Sequence, residues 1–188
     1  MSTSTPSAST RTPLLPTIRN LDEARESCAG FSSVLTVGPE EYEVHDFGHP
    51  DHKVVSFDDV TYDFDGFRAP TFDLVVEAVE WGANRGNLLV HCHAGMSRST
   101  STAWGIAIIN GFDPQEAYDL LKQRHPVVPH RAWAPGSPER SYLVRRAFIP
   151  NELVVKHLER YLGFRRGTLL DIAAIGSRND VDLGEEYD

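Results

Sequence analysis

Residues 87–110 read NLLVHCHAGMSRSTSTAWGIAIIN, and this stretch decides the fold. A short apolar run, Leu88-Leu89-Val90, follows a turn signal at Asn84-Arg85-Gly86-Asn87 and reads as a buried strand. Past Cys92 come small residues. An apolar-periodic run through Trp104, Ile106, Ala107, Ile108 and Ile109 then ends at Asn110-Gly111, a helix stop. The segment from Cys92 to Arg98 is therefore a strand-to-helix turn. The N–H groups of such a turn lack helical partners, and together with the helix dipole they favour a bound anion.

Two residues turn that cradle into a candidate reaction site. Cys92 stands at its mouth, where the donors that would hold an oxyanion also stabilise a thiolate, the nucleophilic form of cysteine. Arg98 opens the helix, and its guanidinium offers a planar fork that stays charged at any working pH. Gly95 lets the backbone approach a ligand closely or take positive φ. Nucleophile, cradle and cation lie within seven consecutive residues.

Residues 91–99, HCHAGMSRS, resemble the H-C-x5-R-S/T signature of the cysteine-dependent protein phosphatases, in the HCxAGxSRS form of their dual-specificity branch. The resemblance implies hydrolysis of phosphotyrosine through a phosphocysteine at Cys92, with phosphoserine and phosphothreonine as further candidate substrates. It implies that His93, Ala94, Gly95, Met96, Ser97 and Arg98 hold the phosphate. Ser99 would assist the thiolate as a leaving group, and His91 would tune the cysteine from behind the loop. No metal or other cofactor is implied.

The leaving oxygen also needs a proton, so a carboxylic acid must reach it. In these phosphatases the acid sits on a loop after a strand, thirty-odd residues before the cysteine. Here Lys53–Phe57 reads as a strand and runs into Asp58-Asp59-Val60, with Asp59 33 positions upstream of Cys92. Asp58, Asp63 and Asp65 are the other candidates. The phrase FDDV also resembles a bacterial group of tyrosine phosphatases, in which the acid corresponds to Asp59. Dual-specificity relatives carry a Pro-Asn pair that braces the phosphate loop. The stretch 126–131 occupies that place with His130 where the Asn would stand, which leaves His130 and Arg131 as structural or substrate-contacting residues.

Strands alternating with helices around an anion-binding turn imply an α/β domain with a central, mostly parallel sheet. The resemblance, covering roughly residues 30–162, implies four to five strands with helices on both faces. Residues 1–13, rich in Ser, Thr and Pro, read as a disordered leader, 14–175 as a single domain, and 176–188 as an acidic tail. Expected elements are a short helix to Cys28 capped by Asn20 or Asp22, a strand over Phe31–Val37 and a helix over Thr71–Ala83. A helix capped by Asp113 and ended by Pro126 should follow, with further helices over Pro138–Ala147 and Pro150–Leu162. Glu40–His52, with His45, His49 and His52, reads as a solvated loop whose spacing matches no closed metal-ligand set.

The formal charge of −9 argues against a nucleic-acid partner. No stretch reaches the roughly 18 apolar residues of a membrane span, and the two cysteines, Cys28 and Cys92, suit a reducing, cytoplasmic setting. A monomer acting on phosphorylated protein is the expectation. Phosphoinositide phosphatases usually set lysines inside the loop, and this loop has none. Rhodanese and arsenate reductase chemistry fits the acid cluster poorly, and non-catalytic phosphoprotein-binding relatives usually lose the Cys, Arg or acid.

Overall fold

The computed structural model describes residues 14–39, 47–63, 65–125, 129–134, 137–145 and 148–178, with side chains left aside for 129–134, 137–145 and 177–178. The expected leader, His45 and nearly all of the tail lie outside these residues. Four strands form one sheet: β1 (Thr17–Arg19), β2 (Ser33–Val37), β3 (His52–Val55) and β4 (Leu88–His91). Their order is β1-β4-β2-β3, and every pairing is parallel. Parallel strands are buried on both faces, which is why Ser33–Val37 and Leu88–His91 are wholly buried rather than alternating.

Helices cover both faces. Helix α1 (Leu21–Ser27) is capped by Asn20, whose side chain accepts from the Glu23 amide while Glu23 answers on the Asn20 amide. Ala24 of this helix and Cys28 just past its end pack against Val34 and Leu89. The larger core lies on the other face, where Leu35, Val37, Val55, Leu88 and Val90 meet α2 (Phe72–Gly82), α3 (Arg98–Ile109), α4 (Pro114–Arg124) and α5 (Glu152–Leu162). Thr71 caps α2, and Asp113 caps α4 with Pro114 in its first turn. Helix α4 stops at Arg124 because His125, preceding Pro126, is extended at φ −72° and ψ 120°.

Helix α3 is buried along ten consecutive residues, Arg98 to Ala107, so it is the central helix rather than a surface one. A Cβ on Gly105 would lie 2.6 Å from Leu158 Cδ2, so only glycine lets α5 come this close. The last helix, α6 (Thr168–Arg178), runs three residues past the expected domain end at 175.

Two expectations are corrected. Pro138–Ala147 is not a helix: Ser137–Arg145 is a strand, β6, paired antiparallel with β5 (Pro129–Ala134). Cross-strand partners supplied by β5 override a weak local preference. His52 is likewise not in a solvated loop but begins β3 with its ring hydrogen-bonded to Thr36.

Candidate active site

All four parallel strands end at one edge of the sheet, and the residues following β3 and β4 converge there, the usual place for ligands in open α/β sheets. Cys92 is the first residue beyond β4 and is 1% exposed. Its Sγ lies 3.2 Å from Ser99 Oγ in the first turn of α3. Cys28 and Cys92 are both free thiols, with Cys28 packed in the small cluster under α1.

The loop between them is turned inside out by donors from its surroundings. The Leu21 amide donates to His93 O at 3.1 Å, and the Ile149 amide donates to Met96 O at 3.0 Å. Thr100 Oγ1 lies 2.7 Å from Met96 O and 2.8 Å from Ser97 O, so its one proton serves one of them at a time, and Ser101 Oγ donates to Ser97 O. A trans peptide is planar, so a carbonyl tied outward aims the N–H of the next residue inward. Ala94 and Ser97 thus present their amides to the interior of the loop. Ser97 makes no side-chain cap, which leaves the first-turn amides of α3 open to an anion as well. Gly95 takes φ +71°, and a Cβ there would meet the Asn20 nitrogen at 2.9 Å and Arg19 O at 3.0 Å. The junction of β1 and α1 forms the floor of the loop, and only glycine fits against it.

Arg98 is buried, donates to Phe57 O at 3.4 Å, and sets Nε 3.9 Å from Asp59 Oδ2. Phe57 is itself fully buried, so it pins the chain just before the acid cluster into the core. The four candidate acids then part ways. Asp58 closes the neck of its loop, its amide donating to Arg68 O and its Oδ2 accepting from the Arg68 amide at 2.7 Å. Asp59 turns over the cysteine loop, where its Oδ1 accepts from Ser97 Oγ at 2.7 Å. Asp63 and Asp65 are exposed. The structure therefore brings together Cys92, Arg98, Ser99, Ser97 and Asp59, and leaves the other three acids aside.

One residue of the site escaped sequence reading. Asn151 is 3% exposed, and both ends of its side-chain amide are engaged. Its Oδ1 caps α5 through the Leu153 and Val154 amides. Its Nδ2 donates to Asp59 Oδ1 at 2.8 Å and to Val60 O at 3.2 Å. Asn151 follows Pro150 and lies outside the stretch 126–131, where His130 belongs to β5. A proline and an Asn directly before an amphipathic run were the signal that could have found it. His91 is fully buried behind the loop, with Nε2 2.7 Å from Thr36 Oγ1.

Fold and site together define an α/β protein that presents a buried thiol, an arginine and a carboxylate around a strand-to-helix loop. No protein-family model matches the sequence, and no curated protein matches it. Among solved structures, the chain is similar to Tk-PTP in its active form, with TM-score 0.46 and 18% identity over 80% of this chain and 93% of that one. A mutant form of Tk-PTP aligns at TM-score 0.46 and 17% identity over 82% and 94%. PTPMT1 aligns at TM-score 0.45 and 16% identity over 88% and 94%.

Proposed function

We propose that this chain is a cysteine-dependent phosphatase that hydrolyses phosphotyrosine in proteins, and phosphoserine or phosphothreonine where the pocket admits them. The observation that carries the reading is the convergence of Asp59, from the end of one strand, on Ser97 and Arg98 beside Cys92. A structural cysteine needs none of these companions.

In the proposed first step the Cys92 thiolate attacks phosphorus, the bond to the leaving oxygen breaks, and that oxygen takes the proton of Asp59. Phosphate fills the cradle of Ala94 and Ser97 amides, with the Arg98 fork across two of its oxygens. Two donors already engage Oδ1, which leaves Oδ2 to carry the proton. In the second step water attacks phosphorus, Asp59 takes its proton, and the sulfur leaves as a thiolate. The 3.2 Å separation of Ser99 Oγ from Cys92 Sγ supports a role for Ser99 as donor to that thiolate. A thiolate already supplies the nucleophile, so no metal-bound water is required.

The test is turnover of an aryl phosphate beside phosphotyrosine, phosphothreonine and phosphoinositide panels, with and without a chelator. Cys92→Ser should abolish turnover and keep ester binding, since the cradle and Arg98 remain. Arg98→Lys should lose activity because a point charge cannot replace a bidentate fork. Activity of Cys92→Ser within tenfold of wild type, or turnover that requires added zinc or manganese, would overturn the mechanism. Preference for phosphoinositides would move the substrate assignment.

A further inference from the structure

Behind the cysteine loop a single hydroxyl is shared by two imidazoles. Thr36 Oγ1 lies 2.7 Å from His91 Nε2 and 2.7 Å from His52 Nε2. Parallel pairing puts them there: Thr36 is the register partner of His91, and Val34, two residues back on the same face, is the partner of His52. Thr36 and His91 are fully buried, whereas His52 is half-buried at the outer strand. The Phe47 ring packs against both imidazoles, its centroid 5.3 Å from His52 and 5.1 Å from His91.

A hydroxyl has one proton to give. Thr36 can donate to only one of the two nitrogens and must accept from the other. The Nε2 atoms of His52 and His91 therefore hold opposite roles: when one carries hydrogen, the other does not. Among the described charged residues near His52, Asp51 is committed to Ser33 Oγ and Arg85, and Lys53 to Glu77 at 2.5 Å. His91 is joined directly to Cys92.

We propose that His52 is a positioning residue of the Cys92 site, which selects the tautomer of His91 through the Thr36 hydroxyl and so sets the environment of the thiolate. A donor Nε2 on His52 turns the Thr36 proton toward His91 and confines the His91 proton to Nδ1. The reverse arrangement gives His91 an Nε2 proton. The inference rests on the reading of Cys92 as the nucleophile, and it concerns the thiol rather than turnover.

The experiment reads tautomers and thiol reactivity separately from catalysis. Imidazole nitrogen–proton correlation spectra of the full chain above pH 8 should show opposite neutral tautomers at His52 and His91. The same tautomer at both overturns the proposal without any substitution. Iodoacetate alkylation of Cys92 across pH supplies the second readout. His52→Leu and Thr36→Val should each change the alkylation rate at fixed pH by about threefold or more, the scale of half a unit in thiol acidity. Thr36→Ser, which keeps the hydroxyl, should restore the wild-type profile. The double variant should go no further than the larger single change, because both act through one chain. A shift in Thr36→Val with none in His52→Leu would end the chain at Thr36 and overturn the role of His52. No shift in either would overturn it as well. A wild-type protein with this alkylation behaviour but no phosphatase activity would refute the proposed function and leave the relay standing.

Discussion

Asp59 and Asn151 stand 92 positions apart, yet the Asn151 side-chain amide donates to the Asp59 carboxylate at 2.8 Å. The same Asn151 caps α5, so the helix end and the acid are set by one side chain. Asp59→Asn should cost on the order of 10²-fold in kcat with a phenylphosphate-like substrate. The cost should be far smaller when the leaving phenol is already acidic. Asn151→Asp keeps the cap but replaces a donor with a second carboxylate, and it should show the same leaving-group signature with little loss of helix. If Asp58→Asn carries that signature instead, the acid is the neighbouring residue.

Gly95→Ala tests the floor of the loop. The substitution forces an L side chain to φ +71° and drives its Cβ into the Arg19–Asn20 backbone. The left-handed conformation alone costs about 1–2 kcal/mol. Displacing the cradle should cost about 10²-fold in kcat, in line with misplacing reacting groups by an ångström. Normal turnover with unchanged thermal unfolding would mean that the loop relaxes without consequence.

Glu159 is 2% exposed and accepts the Gly167, Leu169 and Leu170 amides, so it anchors the start of α6. Glu159→Ala orphans buried N–H groups and should cost about 2–4 kcal/mol. Urea unfolding should record that loss, while kcat of the folded fraction stays at wild type. A change below about 0.5 kcal/mol would show that α6 holds its place by packing alone.

His157 contributes to the pH dependence of stability. Its pKa is lowered from the ordinary 6.5, first by burial and then by the nearby Arg160 cation, against a raising contribution from its hydrogen bond to Pro70 O. The folded state therefore binds this proton less readily than the unfolded chain. Stability from this group is fully present above pH 6.5, falls as the pH drops below it, and levels off under the folded value. Unfolding midpoints between pH 7.5 and 5 should fall more steeply in wild type than in His157→Gln. Equal slopes would remove His157 as the cause.

What the sequence by itself determined is contiguous. The unit β4–loop–α3 was legible because strand, small-residue turn and helix follow within 24 residues and each step has a local cause. The cap at Asp113 was legible for the same reason, and the first cap was narrowed to Asn20 or Asp22, since a cap bonds amides two or three residues away. The proposed acid could be narrowed to a cluster but not separated from its neighbour by pattern alone. Asp58 and Asp59 are adjacent and chemically identical, and only the contacts with Arg68 on one side and Ser97 and Asn151 on the other divide them.

Tertiary structure alone decided the rest. The three-residue β1 has no periodicity to read and exists because β4 offers it a ladder. Strand β6 replaced an expected helix because its hydrogen bonds are made with β5 rather than within itself. The Thr36–His52–His91 triad depends on strand order, which places residues 16 and 55 positions apart around one hydroxyl. Propensity and capping act over a few residues and leave their mark in local sequence. Sheet order, register and a side chain shared between distant segments are set by which surfaces bury each other, and no short stretch of chain records that.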